Sequence, residues 1–280
     1  QNLTTDPKET QLEMLKKCEL KYEYHPILKK MCEDLGILFL STPYNIEDAE
    51  FLESINVQAY KLASIHLAEP YFIKKVAMYK KPIILSTGMG SMREIEIAVK
   101  TLKNVSNNNF CLLQCTTNYP SIHMDVNLNA MVSIQNKFKS IIGYSDHTTD
   151  DISSIVSVGL GAKIIEKHFS LDKTLSGPDH TSSLNPIELH NFVKNIRNAE
   201  KVLGSFKKEP CPVELENMKG MRRSIFTKKH IKLGEPINYN SLTFKRPAKG
   251  ISAGSIDKLI GKKAVKEIKK DTLLEFGMIK

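Results

Sequence analysis

Short apolar runs separated by segments of helical periodicity recur along the first 205 residues, and this alternation restricts the possible folds more than any other feature. The runs predict strands at 37–41, 59–62, 83–86, 110–115, 141–145 and 164–169. Between them, apolar residues recur at roughly helical spacing, which predicts helices at about 45–55, 69–79, 91–103, 127–138, 151–160 and 186–203. Nearly continuous apolar strands that alternate with helices predict a parallel sheet covered on both faces.

Six predicted strands that alternate with helices are compatible with two kinds of parallel sheet. Strand–helix units occur both in a doubly wound sheet and in a (β/α)8 TIM barrel. Polar side chains follow every predicted strand instead of clustering at one switch point, and this pattern favours the rim of a barrel. We therefore expect an α/β fold of the (β/α)8 type. In this interpretation the first two βα units are missing, and a helix at 8–20 remains from a lost unit.

The composition changes after residue 204. Residues 206–221 contain two prolines and a glycine and are interpreted as a linker. From residue 222 onward, short predicted strands at 223–227, 242–245 and 262–265 are separated by glycines. The predicted domains are therefore a barrel at 1–205, a linker at 206–221 and a small β-rich domain at 222–280.

The net charge of +9 is concentrated in the small domain. Residues 222–280 carry 15 Lys and Arg against 5 Asp and Glu, so the rest of the chain is almost neutral. This segment lacks interleaved aromatic residues and groove-binding motifs, which argues against nucleic acid as a partner. Its lysines are interpreted as a solvated surface, or as the source of one or two cations for an anionic substrate.

No apolar run approaches the roughly 20 residues of a membrane-spanning helix, and no signal peptide is recognisable. The five cysteines are an odd number without paired spacing. We therefore expect reduced thiols, no membrane association and a cytoplasmic location.

Two histidines, His147 and His168, follow the last two predicted strands of the barrel. Because the carboxyl ends of parallel strands meet on one rim, both imidazoles are expected to lie there. Each could be a hydrogen-bonded core histidine, but their equivalent positions favour a shared divalent metal. Asp146 is expected to orient one imidazole from behind.

Other polar residues mark the same rim. Lys61 interrupts an apolar strand, which favours an anionic partner over a lysine that extends to solvent. Ser86 and the glycines after it precede a helix and could bind phosphate, although such hydroxyls also cap helices locally. Asp179 could bind sugar hydroxyls, act as a base or belong to a turn. This combination favours a phosphorylated anionic substrate together with a polyol.

Eight segments, taken in order, resemble the sialic acid synthase family, which includes the N-acetylneuraminate, legionaminate and pseudaminate synthases. They are 40–43 (LSTP), 59–64 (AYKLAS), 82–89 (PIILSTGM), 143–148 (GYSDHT), 165–169 (IEKHF), 176–180 (SGPDH), 222–225 (RRSI) and 244–247 (FKRP). The segment 222–280 is similar to the antifreeze-like SAF domain of these enzymes.

The resemblance implies that phosphoenolpyruvate, an N-acetylmannosamine-type sugar and water give a nonulosonic acid and phosphate, with cleavage of a C–O bond. It matches His147 and His168 to ligands of Mn²⁺ or Mg²⁺, and Asp179 to a sugar-binding position. Arg246 matches an arginine that reaches the partner subunit's active site, which implies a domain-swapped homodimer. The positions that match ligand contacts are Thr42, Lys61, Ser64, Ser86, Thr117, Tyr119 and Ser145.

One position departs from the family pattern. His66 stands where an acidic residue is usual, two positions after Ser64, and a histidine there could do acid–base work near neutral pH. The expected catalytic residues are therefore His66, Lys61 and Asp179. The alternatives are a phosphoenolpyruvate-dependent synthase for another surface-polysaccharide sugar and a non-catalytic sugar-binding relative.

Overall fold

The computed structural model describes residues 10–280, and the chain divides into two compact units with the boundary in the sequence between Gly204 and Ser205. In the first unit the helices are α1 (Gln11–Cys18), α2 (Tyr24–Asp34), α3 (Ile46–Ser54), α4 (Pro70–Ala77), α5 (Met92–Asn104), α6 (His123–Val126), α7 (Asn129–Phe138), α8 (Ile152–Gly159) and α9 (Pro186–Leu203). Its strands are β1 (Tyr60–Leu62), β2 (Ile83–Ser86), β3 (Phe110–Cys115), β4 (Ile141–Asp146) and β5 (Ile164–Lys167).

The five strands form one parallel sheet in the order β1-β2-β3-β4-β5. The predicted α/β class with a parallel sheet is therefore confirmed. The strand predicted at 37–41 is wrong: a strand needs a hydrogen-bonded neighbour, and no strand of residues 10–280 pairs with this segment. Its side chains Ile37 and Leu38 are more than half exposed.

Alternation along each strand gives the sheet two different faces. One face packs on the helices and contributes fully buried apolar side chains, such as Leu62, Leu85, Leu112 and Ile142, to the main core. Residues between these positions, such as Lys61, point to the opposite face. This second face carries most of the polar residues that the sequence analysis singled out.

The sheet is strongly curled. The Lys61 ammonium of β1 lies 3.6 Å from the Glu166 carboxylate of β5, although these strands form the two edges of the sheet. In a flat sheet, four strand spacings would separate them by about 19 Å. The contact therefore requires the polar face to be concave.

The second unit contains helix α10 (Pro212–Met221) and the antiparallel strands β6 (Ser224–Thr227) and β7 (Leu242–Lys245). Its own core includes Ile225, Ile231, Leu259 and Leu274. Helix α10 occupies most of the segment interpreted as a linker. It starts there because a proline fits the first helical turn and because Glu214 accepts a hydrogen bond from the Cys211 amide.

The strand predicted at 262–265 is also wrong. Its backbone pairs one residue at a time with different segments, through single bridges of Lys263 to Pro236 and of Ala264 to Ile279. Such isolated bridges connect loops but do not build a continuous ladder.

Within residues 10–280, no helix is both long and apolar enough to cross a membrane.

Candidate active site

Two imidazoles lie together just beyond the ends of β4 and β5. The ring centroids of His147 and His168 are 5.2 Å apart, and the Tyr119 ring lies 4.1 Å from the first and 5.5 Å from the second. The Asp179 carboxylate is 3.8 Å from Nδ1 of His168. The structure therefore brings together four residues that the sequence analysis selected separately.

The tautomer of His147 follows from its backbone contact. Its Nδ1 lies 2.7 Å from the carbonyl oxygen of Thr116, which can only accept a hydrogen bond. Nδ1 therefore carries the proton, and the lone pair of Nε2 is available to a ligand. A backbone carbonyl that fixes the ring in this way is a common arrangement behind metal-binding histidines.

Both imidazoles are in surroundings that favour the neutral form. Burial lowers the pKa of His147 below its usual range. Burial also lowers the pKa of His168, and the neighbouring His147 adds to that effect while Asp179 opposes it. Neutral imidazole is the form that coordinates a metal ion.

The number of protein ligands determines which kind of metal site these residues could form. No group of three His, Cys, Asp or Glu side chains comes together as a metal cluster in the described part of the chain, residues 10–280. The protein could therefore offer two imidazoles, with the other coordination positions left to water or substrate oxygens. Such an open site suits a metal that binds substrate directly.

A cation, a carboxylate and a hydroxyl meet in the concave face. Glu166 accepts a hydrogen bond of 2.8 Å from Ser145, and its other oxygen is 3.6 Å from Nζ of Lys61. Burial lowers the pKa of Lys61, and the charge of Glu166 opposes this shift. The sequence analysis did not select Glu166. Strand alternation was the available signal, because Glu166 lies two residues before His168 and so shares its face.

A narrow cradle surrounds Gly88, just after β2. Its amide donates a 3.0 Å hydrogen bond to Oγ of Ser64. A Cβ placed on Gly88 would lie 2.5 Å from Oγ1 of Thr117, 2.8 Å from that Ser64 oxygen and 3.1 Å from Sγ of Cys115. A side chain at this position would displace the hydroxyls of Ser64 and Thr117, which converge on the glycine.

Two observations show that the hydroxyl of Ser86 does not cap helix α5. The N-cap of α5 is Ser91, whose hydroxyl and Glu94 form a capping box. Oγ of Ser86 is buried and has no hydrogen-bond partner among the described residues. Buried hydroxyls are normally hydrogen-bonded, so this one is available to a water or ligand atom.

Three predicted site residues lie apart from these contacts. His66 is buried on the 3₁₀ turn Ser64–Ala68, with Nδ1 2.9 Å from Glu69 and its ring against Phe72. Its Nε2 has no hydrogen-bond partner within residues 10–280. Thr42 lines a cavity of about 390 Å³ together with Tyr22, His25 and others. Arg246 is exposed in the second unit.

The interpretation of Asp146 as an orienting partner of an imidazole is wrong. Its carboxylate is fully buried on the helix side of the sheet, 3.0 Å from the ammonium of Lys167. Adjacent residues of a strand point to opposite faces, so Asp146 cannot support the ring of His147. The Thr116 carbonyl has that position instead.

Fold and site together define a class: an α/β protein with polar residues grouped beyond the carboxyl ends of a curled parallel sheet. The chain belongs to the NeuB family, because residues 1–208 match that family and residues 222–280 match the SAF domain. The resemblance seen in the sequence is thereby confirmed.

Named relatives cover most of the chain. It is 42% identical to an N,N'-diacetyllegionaminic acid synthase of Campylobacter jejuni, over 97% of this chain and 82% of the relative. It is 35% identical to a pseudaminic acid synthase of the same species, over 95% and 77%. A crystal structure of N-acetylneuraminic acid synthetase from Leptospira borgpetersenii superposes with a TM-score of 0.70 at 34% identity, covering 74% of this chain and 72% of that one.

Proposed function

We propose that this protein condenses phosphoenolpyruvate with an N-acetylmannosamine-type sugar and water, giving a nonulosonic acid and phosphate. The observation that carries the proposal is the grouping of the Lys61–Glu166–Ser145 set and the paired imidazoles on one side of the sheet. The names of the Campylobacter relatives, a legionaminic and a pseudaminic acid synthase, support the same reaction class.

Phosphoenolpyruvate would bind at Lys61 and the Gly88 cradle. Lys61 donates one hydrogen bond, to the carbonyl of Leu62, so its ammonium keeps donors for a phosphate or carboxylate. Ser64 and Thr117 converge on Gly88, and the unpaired hydroxyl of Ser86 supplies another donor. A bound anion would stabilise the protonated form of Lys61, which burial disfavours.

The sugar aldehyde would lie against the imidazoles. His147 and His168 would hold Mn²⁺ or Mg²⁺, which supplies Lewis-acid polarisation of the aldehyde oxygen when bound. Tyr119 packs on both rings and limits their rotation. Asp179 is positioned beside His168, where its carboxylate can accept hydrogen bonds from sugar hydroxyls.

C3 of phosphoenolpyruvate attacks the aldehyde carbon, whose oxygen takes up a proton, and water adds to the electrophilic C2. The water's proton needs an acceptor, and the C2–O bond then breaks to release phosphate and leave the 2-keto group. We assign the role of proton acceptor to His66, which lies outside the contacts of the imidazoles but on the turn that begins at Ser64, whose hydroxyl accepts from the Gly88 amide. Its Nδ1 is held by Glu69, and its Nε2 has no partner among residues 10–280. The Tyr44 ring packs edge-to-face against the imidazole, with the ring centroids 5.3 Å apart.

For the complete architecture, we propose a (β/α)8 barrel and a homodimer in which Arg246 reaches the partner's site. The curl of the parallel sheet supports the barrel, and the exposure of Arg246 supports its availability to another subunit. A cytoplasmic location is proposed from the five cysteines, all of which are free thiols.

The test is phosphate release from phosphoenolpyruvate by the full-length protein with Mn²⁺ and a panel of N-acetylhexosamines. We expect release that depends on one sugar and that stops on chelation. The variants H147A and H168A should each lose at least a hundredfold in rate, whereas H190A, on α9, should retain the rate. Full activity in either site variant would remove the metal assignment. Release with none of the sugars would favour the binding-only alternative.

A further inference from the structure

A buried ion pair lies directly behind the two imidazoles. The Asp146 carboxylate and the Lys167 ammonium are 3.0 Å apart, and their side chains are 0% and 4% exposed. The two residues are register partners at the ends of β4 and β5. The pair faces α8 and α9, where Ser154 donates to Asp146 and the Phe192 ring lies 5.8 Å from the Lys167 ammonium.

Hydrogen bonds extend the pair into the loop that follows His147. Asp146 accepts from both the amide and the hydroxyl of Thr148, each at 2.8 Å. Lys167 donates to the carbonyl oxygens of Thr148 and Asp150. The carboxylate and the ammonium are therefore satisfied on several sides, as charges buried to this degree must be.

Each member of the pair immediately precedes one imidazole. Asp146 leads to His147 and Lys167 leads to His168, and strand alternation puts the imidazoles on the opposite face. A shift of β4 against β5 by one residue would separate the two buried charges from each other, which is costly in a buried site. The pair therefore resists the displacement that would change the distance between the rings.

We propose that Asp146 and Lys167 are positioning residues, which lock the β4–β5 register so that His147 and His168 stand at the separation a shared metal requires. This inference rests on the proposed metal-dependent function. Residues behind metal ligands typically change metal affinity 10- to 100-fold when they are replaced.

A merely structural role predicts something different. A pair that only stabilises the fold would change the unfolding temperature, but not the metal affinity of the molecules that remain folded. Replacement of both members by apolar side chains of similar size separates these effects, because it leaves neither charge buried alone and the metal affinity is measured on the folded protein. D146L/K167M is such a variant, and K167R keeps the cation.

The experiment measures Mn²⁺ affinity by titration calorimetry, and the unfolding midpoint without metal, for wild type, D146L/K167M and K167R. We expect a 10- to 100-fold loss of affinity in D146L/K167M and a change of less than about threefold in K167R. The matched control is K81M, which breaks the 2.9 Å pair of Lys81 with Glu53 away from the imidazoles. It should bind Mn²⁺ as wild type does.

Two results would overturn the inference, and they differ. Wild-type Mn²⁺ affinity in folded D146L/K167M would remove the positioning role and leave the metal site intact. Absence of Mn²⁺ binding by the wild type would remove the metal site and the positioning role with it. If D146L/K167M does not fold, D146N, which preserves the volume of the side chain, is judged by the same tenfold criterion.

Discussion

At the scale of single residues, Glu166 controls how the candidate site presents its cation. Its carboxylate is 3.6 Å from the Lys61 ammonium, which is longer than a hydrogen bond, whereas its bond to Ser145 is 2.8 Å. Glu166 thus favours the charged form of Lys61 without occupying all of its hydrogen-bond donors. An incoming anion could bind the ammonium without first breaking a close ion pair.

The variant E166Q should therefore lose activity at alkaline pH. Glu166 opposes the burial that lowers the pKa of Lys61, so removal of its charge lowers that pKa further. Lys61 would then become neutral at a lower pH, and the alkaline limb of kcat/KM for phosphoenolpyruvate should move to lower pH.

The measurement is a pH profile of sugar-dependent phosphate release at low phosphoenolpyruvate concentration. E53Q is the matched control, since Glu53 pairs with Lys81 outside the concave face. An alkaline limb that stays in place in E166Q, or that moves to higher pH, would contradict the role assigned to the carboxylate.

Site residues could be predicted from the sequence where they stand out against the apolar pattern of the strands. Lys61 was found because it interrupts a predicted apolar strand, and His147 and His168 because they follow predicted strands. Glu166 has the same parity as His168, but the strand was not searched for other residues on the face of that imidazole. The partner of the His147 ring is the carbonyl of Thr116, and a backbone group leaves no signal in a side-chain pattern.

At the scale of elements, β4 depends on a glycine for its close contacts. A Cβ on Gly143 would lie 2.4 Å from the carbonyl oxygen of Ile164, its register partner on β5, and 2.5 Å from Leu113 on β3. The first of these atoms is backbone and cannot move without displacing a strand. β4 can therefore pack between β3 and β5 only if this position has no side chain.

G143A should accordingly destabilise the protein by about 1–3 kcal/mol, the usual effect of an atom forced into a packed interior. The measurement is the free energy of unfolding in urea. The control is G159A near the end of α8, where nothing lies within 4 Å of the added Cβ and alanine favours the helix by up to about 1 kcal/mol. Equal stability of G143A and wild type would show that β4 can shift without loss.

The predictions for elements succeeded where the local pattern and its surroundings agree. The strand at 110–115, the helix at 186–203 and the strand at 242–245 have the predicted bounds. The strand at 37–41 was wrong because pairing depends on a neighbour that local pattern does not encode. The helix Pro212–Met221 was missed because its proline was interpreted as a break, although proline also starts helices.

At the scale of the whole molecule, charge and the proposed chemistry are distributed differently. Residues 222–280 carry a net charge of +10, against −1 for the rest of the chain, whereas the paired imidazoles and Lys61 belong to the first unit. A positively charged domain raises the local concentration of anionic substrates. The proposed role of Arg246 requires more, namely that one guanidinium contacts the sugar in the site of a second subunit.

Complementation between two defective variants tests that arrangement. R246A should bind the sugar at least tenfold more weakly and phosphoenolpyruvate nearly as well as wild type, and H147A should be inactive. In a swapped dimer, a mixed pair contains one site with both the imidazole and the arginine. Equal mixing should therefore restore about a quarter of the wild-type rate at low sugar concentration, because half of the dimers are mixed and each has one intact site.

K249A, which removes a nearby exposed cation, should need no such rescue. A rate no higher than the mean of the two separate variants would mean that Arg246 does not act across subunits.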